Sequence, residues 1–329
     1  MKLVSTLANG VSNGAPRGGI LAGEEVLDLA RGFEHTGASE LARTAGSVLG
    51  FVEHGDLARP AADRLVAAHA RGELPSSCAT PAREVTLVAP IPRPPSMRDG
   101  YAFRQHVVTA RKNRGLEMIP EFDLFPVFYF TNHQAVIGPG DLHVQSLHLD
   151  RLDFELEAAI VVGKQARNLR AEDADACIFG FTIMNDFSAR ALQMEEMKLS
   201  LGPAKGKDFA TALGPYLVTR DELAPHATAT PKGEHHDLVM RAWVNGKQVS
   251  TGNVKDMTFT FAQILERASY GVTLFPGDVV GSGTCGSGCF LELNGSKITD
   301  NQWLREGDVV ELEIDGLGRL TNRVVRDAG

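Results

Sequence analysis

The stretch that most constrains the fold runs from residue 152 to residue 162 and reads LDFELEAAIVV. Its first six residues alternate apolar and acidic, so a β-strand would place Leu152, Phe154 and Leu156 on one face and three carboxylates on the other. The apolar run that follows, residues 158–162, continues the same strand into a core. We therefore predict a buried strand with acidic side chains at its entry.

The three carboxylates, Asp153, Glu155 and Glu157, would lie side by side on one face of this strand. Carboxylates that are buried together repel each other and lose solvation, and a hard divalent ion with oxygen ligands is the simplest compensation. The alternative is an edge strand whose acidic face is solvated. The pattern alone leaves both interpretations open.

The sequence around this strand is typical of a β-rich fold with few helices. One helix is expected over Gly100–Arg114, and turn signals such as Asn245-Gly246 separate short β-like runs. Those runs are Val127–Phe130, Leu152–Val162, Phe179–Met184, Leu238–Val244, Val279–Val280, Phe290–Leu293 and Val309–Ile314. Because the chain has no βαβ alternation, a doubly wound nucleotide-binding fold is disfavoured.

Residues 1–90 differ from the rest of the chain in their sequence pattern and are predicted to form a small N-terminal domain. The larger domain is predicted over residues 91–329. A hairpin is expected over Ile20–Leu29, and helices are expected near Ser39–Glu53 and Pro60–Arg71. Six prolines between positions 75 and 95 mark an extended connector. Each proline removes a backbone donor and disfavours helix in the residue before it.

Composition narrows the class of protein. With 329 residues, 43% of them hydrophobic, the chain can bury a large core. A net charge of −8 without a basic run argues against nucleic-acid binding. Four cysteines suit a reducing compartment better than a disulfide scaffold. No apolar run approaches the ~20 residues that span a bilayer, and the N-terminus lacks a secretion signal's apolar core, so we expect a cytoplasmic protein without a membrane partner.

A second acidic position follows another apolar run. The predicted strand Phe179–Met184 ends just before Asp186, and Ser188 can cap the helix that follows. At this strand-to-helix junction Asp186 could direct a ligand into a pocket, with Arg190 and Gln193 on the adjacent helix face. The alternative makes Asp186 a turn residue and Arg190 its salt-bridge partner.

Two further segments carry groups suited to acid–base chemistry or anion binding. Asp99 fits the N-cap of the predicted helix, and His106 lies about two turns farther along it. A lone histidine on a helix is often structural, so this position has two interpretations. The loop from Gly202 to Phe209 places Lys207 after a glycine and either holds a cation over an anionic substrate or is a solvated turn. It lacks the spacing of a P-loop.

A glycine-rich stretch over residues 281–289 allows a ligand to approach the backbone closely and frees amides for oxyanion contacts. Within it, Cys285 and Cys289 resemble half a zinc site, but no second Cys or His pair follows in register, which argues against zinc. His235 and His236 lie in a polar stretch and are predicted to be at the surface.

Taken together, these segments resemble the fumarylacetoacetate hydrolase family over roughly residues 90–325. Several motifs in the same order are more specific than any one of them. The motifs are Asp-x-Tyr followed by Arg-Gln-His at 99–106, Pro-Val-x-Tyr at 126–129, Glu-Leu-Glu at 155–157, Asn-Asp-aromatic-Ser-Ala-Arg-x-x-Gln at 185–193, Leu-Gly-Pro at 201–203 and Gly-Lys at 206–207.

The resemblance implies a mixed β-rich (α+β) fold, in which a β-roll catalytic domain follows a smaller N-terminal β-containing domain, and it implies a homodimer. It also implies a divalent ion, Mg2+ or Ca2+ with Mn2+ as a further candidate. The implied metal ligands are Asp99, Glu155, Glu157 and Asp186.

The resemblance further implies that His106 is a general base paired with Glu292. Arg190 would lie behind the metal ligands, while Gln193 and Lys207 would contact the substrate or its developing oxyanion. The other implied substrate contacts are Tyr101, Tyr129, Thr284 and, for the acid group of the substrate, Arg111 or Arg114.

The implied activity is metal-dependent hydrolysis of a carbon–carbon bond in a 1,3-diketo acid of the fumarylacetoacetate type, a reaction of aromatic catabolism. The pairing of His106 with Glu292 favours hydrolysis, because an attacking water must lose a proton. Alternatives on the same scaffold are an acylpyruvate hydrolase and an oxaloacetate-type decarboxylase or isomerase. Outside enzymes, the alternative is a ligand-binding protein that has lost catalysis.

Overall fold

The structure is a computed structural model that describes residues 1–9 and 14–327. The strands, β1 to β23, are Lys2–Ala8, Arg17–Ala22, Glu25–Asp28, Ala79–Pro81, Val85–Val88, Met97–Gly100, Phe128–Phe130, Val136–Ile137, Gly140–Val144, Leu152–Asp153, Leu156–Val162, Ala166–Arg167, Ile178–Asp186, Ser188–Ala189, Thr211–Thr219, Ala227–Thr230, Gly233–His236, Val239–Val244, Lys247–Asn253, Thr273–Leu274, Val279–Gly281, Val309–Ile314 and Gly318–Arg326. The α-helices, α1 to α10, are Leu29–His35, Ser39–Thr44, Val48–Glu53, Gly55–Ala70, Arg104–Lys112, Ala171–Ala174, Arg190–Met197, Arg220–Leu223, Phe261–Ser269 and Phe290–Gly295. None of these described helices has the length and apolar character needed to cross a bilayer.

A twelve-stranded mixed sheet organises the molecule. Its main path runs β4-β3-β2-β1-β15-β13-β11-β21-β6-β7, with β5 beside β1 and β8 beside β15. A second sheet has the order β19-β18-β22-β23-β9. The predicted mixed β-rich (α+β) fold is confirmed.

Strand β11 separates two hydrophobic cores. Leu156 and Ile160 on one face pack into the larger core, which also contains side chains of the five-stranded sheet. Ala159 and Val161 on the other face pack into a core shared with the N-terminal helices. The predicted strand over residues 152–162 is confirmed, with a break at Phe154 and Glu155 that divides it into β10 and β11. Because side chains alternate along a strand, Glu157 lies on the face of the N-terminal core.

The N-terminal residues contribute strands to the same large sheet. The predicted hairpin is confirmed as β2 and β3, which pair across a turn with Gly23 at φ +61. The first predicted helix is two helices, α2 and α3, and Ser47 caps α3 by accepting from the Gly50 amide. Strand β1 pairs with β15, so the backbone hydrogen bonding crosses the boundary proposed near residue 90. The division into two domains stays a prediction.

Three local predictions around the acidic residues were wrong. Asp99 does not cap a helix, because Met97–Gly100 forms β6 and pairs in parallel with β21, and α5 begins only at Arg104. Ser188 does not cap α7; it lies in β14, and its hydroxyl donates to the Asp186 carbonyl. The run Phe290–Leu293 is helical rather than extended. In each case long-range pairing or packing overrides the local signal.

The prediction that His236 is at the surface was also wrong. Its side chain is 2% exposed and its ring centroid lies 4.6 Å from that of Phe181. Nε2 has no hydrogen-bond partner and stands 3.6 Å from a Glu234 oxygen. Burial lowers the pKa of His236 to about 4, although the neighbouring Glu234 charge opposes this shift. The imidazole is therefore neutral in the folded protein at neutral pH.

This burial predicts a pH-dependent loss of stability. An unfolded histidine has a pKa near 6.5, so below that pH the unfolded chain binds a proton that the folded chain does not. The free energy of unfolding therefore falls as the pH drops toward 4. Between pH 7 and pH 5 the protonation of this single group should lower the free energy of unfolding by about 2 kcal/mol. Urea unfolding of His236→Phe at both pH values should show a smaller pH effect than the native chain, whereas His235→Phe should not. Equal pH effects in all three proteins would contradict the assignment.

Candidate active site

Neighbouring strands of the large sheet bring three carboxylates onto one face. Asp99 comes from β6, Glu157 from β11 and Asp186 from the end of β13, and these strands follow one another in the sheet with only β21 between β11 and β6. Each carboxylate lies two residues from a side chain of the N-terminal core. Since side chains two apart share a face, the three point to the same side of the sheet.

Gly281 in β21 allows this convergence. It lies opposite Asp99 in β6 and Ala159 in β11. A Cβ at this position would be 2.4 Å from Asp99 Oδ1 and 2.9 Å from the Met184 side chain. Any larger residue would force the Asp99 or Met184 side chain to move, so glycine leaves the space in which the Asp99 carboxylate lies over β21.

A fourth carboxylate, that of Glu155, joins the group at the break between β10 and β11. Arg190 Nη2 donates to Glu155 Oε1 at 2.8 Å, and Lys207 Nζ donates to Glu155 Oε2. Lys207 also donates to Asp186 Oδ2 at 2.8 Å. One oxygen each of Asp99, Glu155 and Asp186 lies within 4.8 Å of the others. These three carboxylates are therefore gathered around one point, and Glu157 is not part of that group of three.

The electrostatics of this cluster show an excess of negative charge. Burial, followed by the Asp186 charge, raises the pKa of Asp99 to about 7. Burial and the Asp99 charge raise the pKa of Glu157 well above its usual range. Burial alone would raise the pKa of Glu155 too, but Lys207 and Arg190 lower it to about 2. Lys207 and Arg190 thus stabilise the negative charge of Glu155, while the charge of the other carboxylates is not fully compensated.

The residues present fit a hard divalent ion. Glu155 and Glu157 are 4% and 0% exposed, so the alternative of a solvated acidic face was wrong. Glu157 Oε2 is buried without a hydrogen-bond partner, and such an orphaned carboxylate oxygen is costly unless something cationic meets it. The donors are carboxylate oxygens, the ligand type that Mg2+, Ca2+ and Mn2+ prefer. The Thr211 hydroxyl donates to Asp186 Oδ1 at 3.4 Å.

A histidine–glutamate pair lies beside this cluster. His106 Nδ1 and Glu292 Oε2 are 2.7 Å apart, and both side chains are buried. The other Glu292 oxygen accepts from the Ser287 amide at 2.8 Å. His106 comes from the first turn of α5 rather than from the same helix as Asp99. A carboxylate on Nδ1 fixes the tautomer and orientation of the ring, which is the arrangement of a general base.

One cavity of about 370 Å3 connects these groups. Glu157, Asp186 and Glu292 lie behind its wall, where they bond to Thr284, Lys207 and His106 respectively. Apart from Arg111, the remaining predicted site residues line the cavity: Asp99, Tyr101, His106, Arg114, Tyr129, Glu155, Arg190, Gln193, Lys207 and Thr284. Sequence reasoning therefore selected side chains that the fold brings together.

The rest of the cavity wall is largely apolar. Arg114 lines it and its Nε donates to the Ala110 carbonyl at 3.0 Å, whereas Arg111 donates to the Glu117 carbonyl outside the cavity. Of the two arginines considered for the acid group of a substrate, Arg114 is therefore the one in position. The apolar lining residues are Ala110, Val127, Phe128, Met194, Met197, Pro203 and Leu291.

Asp153 is the residue whose role sequence reasoning missed. Its carboxylate is fully buried and accepts from Arg190 Nε at 2.9 Å. It also accepts from the backbone amides of Phe290 and Leu291 at 2.7 and 3.0 Å, which begin α10. Since α10 has no side-chain cap of its own, Asp153 caps it from across the fold. One carboxylate thus holds both Arg190 and the helix of Glu292, and the only local signal for it is the acidic period-two pattern.

Replacing Asp153 with asparagine should lower turnover by about 10-fold, the lower end of what outer-shell partners of a metal site contribute. In either orientation the new NH2 group would face two donors, Arg190 Nε and the Leu291 amide or the Phe154 and Phe290 amides, and those two would lose their acceptor. Steady-state kinetics with saturating metal, together with thermal unfolding, measures the effect. Unchanged turnover in a variant with unchanged stability would show that Asp153 does not position the site.

Comparisons with known protein families, sequences and structures agree on one family. Residues 96–325 match the family model described as fumarylacetoacetate (FAA) hydrolase C-terminal. The chain is 32% identical over 276 residues to a human protein named mitochondrial oxaloacetate tautomerase, covering 84% of this chain and 78% of that protein. It is 32% identical over 246 residues to the oxaloacetate tautomerase of Bacillus subtilis strain 168, covering 73% of each. A solved structure of the fumarylacetoacetate hydrolase from Exiguobacterium antarcticum is 25% identical, with a TM-score of 0.71 over 99% of this chain and 100% of that one.

Proposed function

The chain belongs to the fumarylacetoacetate hydrolase family, and from this premise we propose that it is a divalent-metal-dependent hydrolase that cleaves a carbon–carbon bond in a 1,3-diketo acid. The observation that carries the proposal is the 2.7 Å contact between His106 Nδ1 and Glu292 Oε2, beside the cavity that Asp99 and Glu155 also line. A general base beside an oxygen-rich cation site is what hydrolysis of a chelated dicarbonyl requires.

The proposed ion is Mg2+, Ca2+ or Mn2+, held by Asp99, Glu155, Glu157 and Asp186. When bound, such an ion supplies a Lewis acid that polarises the substrate carbonyl groups. Lys207 and Arg190 together keep Glu155 ionised, and Arg190 also holds it in place through a 2.8 Å hydrogen bond. Arg114 and the apolar wall of the cavity would bind the part of the substrate that does not react.

The proposed reaction begins with proton removal from water by His106, whose imidazolium is then stabilised by the Glu292 carboxylate. The water oxygen forms a bond to the carbonyl carbon, and Lys207 and Gln193 donate hydrogen bonds to the developing oxyanion. The carbon–carbon bond then breaks, its electron pair remains on the leaving group as an enolate, and His106 returns the proton to that enolate. Lys207 can act as a cation throughout, because its pKa is raised by Asp186 and Glu155 despite burial.

Replacing Lys207 with methionine should lower turnover by about 10- to 100-fold while the ion stays bound. The ammonium group donates to Glu155 and Asp186, and its loss removes an oxyanion donor but no oxygen ligand. Turnover and Mn2+ binding measured on the same preparation test this prediction, with Lys205→Met in the exposed part of the loop as the matched control. Loss of the ion from Lys207→Met would make the lysine a structural part of the cation site.

Oxaloacetate tautomerisation is the second candidate, and the names of the human and Bacillus relatives favour it. The pair of His106 and Glu292 could also catalyse this tautomerisation. His106 would take a proton from the carbon flanked by two carbonyl groups and deliver it to the enol oxygen, or the reverse. This reaction needs no attacking water and leaves every carbon–carbon bond intact. The two candidates therefore differ in products, although they share the cavity and the base.

A substrate panel tests the proposal. Metal-loaded protein is incubated with an acylpyruvate, a fumarylacetoacetate-type acid and oxaloacetate, and products are followed by NMR with a chelated sample as control. The proposal expects metal-dependent release of two acids from a diketo acid. Tautomerisation of oxaloacetate alone, loss of CO2 from it, or no turnover would instead support the tautomerase, the decarboxylase or the ligand-binding alternative. The homodimer and the cytoplasmic location implied earlier are part of the proposal, and light scattering and cell fractionation test them.

A further inference from the structure

A second group of ligand-type side chains lies beside the carboxylate cluster. One ring nitrogen of His106, the Cys289 sulfur and one Glu292 oxygen all lie within 4.8 Å of one another. All three residues are buried, at 6%, 0% and 1% exposure. Cys289 immediately precedes α10 and Glu292 is in its first turn, so the two come from one helix start and meet His106 from α5. The proposed reaction gives Cys289 no task.

The chemistry of this group differs from that of the carboxylate cluster. Thiolate and imidazole are ligands of Zn2+ and similar borderline-soft ions, whereas Mg2+ and Ca2+ prefer oxygen. We propose that His106, Cys289 and Glu292 form a second metal site, selective for Zn2+ and related thiophilic ions, and that its occupation inhibits the enzyme.

The dimensions of the group suit such an ion. Zinc binds sulfur at about 2.3 Å, nitrogen at about 2.0–2.1 Å and carboxylate oxygen at about 2.0–2.2 Å, so ligand atoms around it lie roughly 3–4 Å apart. The contact of 2.7 Å between His106 and Glu292 needs to open only slightly, and the Cys289 sulfur already lies within 4.8 Å of both ligand atoms. The thiol proton leaves to solvent on binding. A thiolate and a carboxylate then balance the charge of the ion.

The cavity provides a route to this site. His106 lines the cavity, while Cys289 lies behind it. An ion that enters from the cavity would meet the imidazole first, and water from the cavity could complete a tetrahedral shell. Because the ion would occupy both members of the proton-transfer pair, inhibition should persist when the carboxylate cluster is saturated with Mg2+.

Cobalt binding in the presence of excess Mg2+ tests the site without reference to turnover. We expect one Co2+ per chain with a thiolate-to-cobalt charge-transfer band in the near ultraviolet. Cys289→Ser should lose the band and bind Zn2+ at least about 10-fold more weakly, since even outer-shell partners contribute about 10- to 100-fold in metal affinity. Cys285→Ser is the matched control, because Cys285 is equally buried but is not part of the group.

Zinc titrations against turnover complete the test on the substrate found for the enzyme. Inhibition of the native chain and of Cys285→Ser, but not of Cys289→Ser, supports the proposal. Relief of zinc inhibition by added Mg2+, or equal cobalt spectra in all three proteins, overturns it. If Cys289→Ser does not fold, Cys289→Ala is measured in the same way, and a charge-transfer band in that variant overturns the proposal. Absence of any turnover would refute the proposed hydrolase while leaving the spectroscopic result to decide on the zinc site.

Discussion

Replacing His106 with alanine should lower turnover by about 10²–10⁴-fold, the usual contribution of a positioned general base, while the divalent ion and the substrate remain bound. The imidazole contacts Glu292 and lines the cavity, but it is not part of the carboxylate cluster. Its removal therefore takes away the group that accepts the water proton and leaves the oxygen ligands intact. Stopped-flow or steady-state turnover, with Mn2+ binding measured in parallel, separates the two effects.

Glu292→Gln provides the control for this prediction. It keeps the imidazole and removes only the charge that orients it, so the loss of turnover should be smaller. The double variant should be no worse than His106→Ala alone, because the two residues act as one unit. Near-native turnover of His106→Ala on the best diketo acid would show that the pair is not the base.

Replacing Glu157 with glutamine should weaken divalent-ion binding by more than about 100-fold, beyond the loss expected from an outer-shell partner, and should abolish most of the turnover. The same change should stabilise the metal-free protein. Glu157 Oε2 has no hydrogen-bond partner, and burial and the Asp99 charge raise the pKa of this carboxyl. A neutral amide of the same shape removes a buried repulsion that only a bound ion would otherwise relieve.

Two measurements check this opposite pair of effects. Calorimetric titration with Mn2+ gives the affinity and stoichiometry, and urea unfolding in the presence of a chelator gives the stability of the metal-free protein. Glu24→Gln, at an exposed turn, is the matched control and should change neither. An unchanged Mn2+ affinity in Glu157→Gln would remove Glu157 from the cation site.

Period-two patterning made the central part of this site predictable from sequence. The stretch LDFELE places acidic and apolar side chains on opposite faces wherever it forms a strand, and the structure has that arrangement with the carboxylates buried. Asp186 was predictable for a similar reason, because it ends a clear apolar run. The resemblance to a known family then connected segments that are distant in sequence.

Other features depend on contacts that no local pattern encodes. Asp99 precedes an amphipathic run and has the side chain of a good N-cap, yet parallel pairing with Gly281 makes it a strand residue. The run Phe290–Leu293 is apolar enough for a strand, but Asp153 caps it as a helix from 137 residues away. His236 follows polar neighbours and is nevertheless packed against Phe181. Each of these outcomes was decided by tertiary packing.

The most direct test of carbon–carbon hydrolysis is the fate of solvent oxygen. Metal-loaded protein is incubated with an acylpyruvate in water enriched in oxygen-18, and the acids formed are analysed by mass spectrometry, with His106→Ala as the control. The proposed reaction transfers one solvent oxygen to the carboxylate formed from the acyl group, at a rate that requires the ion and His106. Interconversion of keto and enol forms without any labelled acid from cleavage would contradict the account and would identify proton transfer alone as the chemistry of this site.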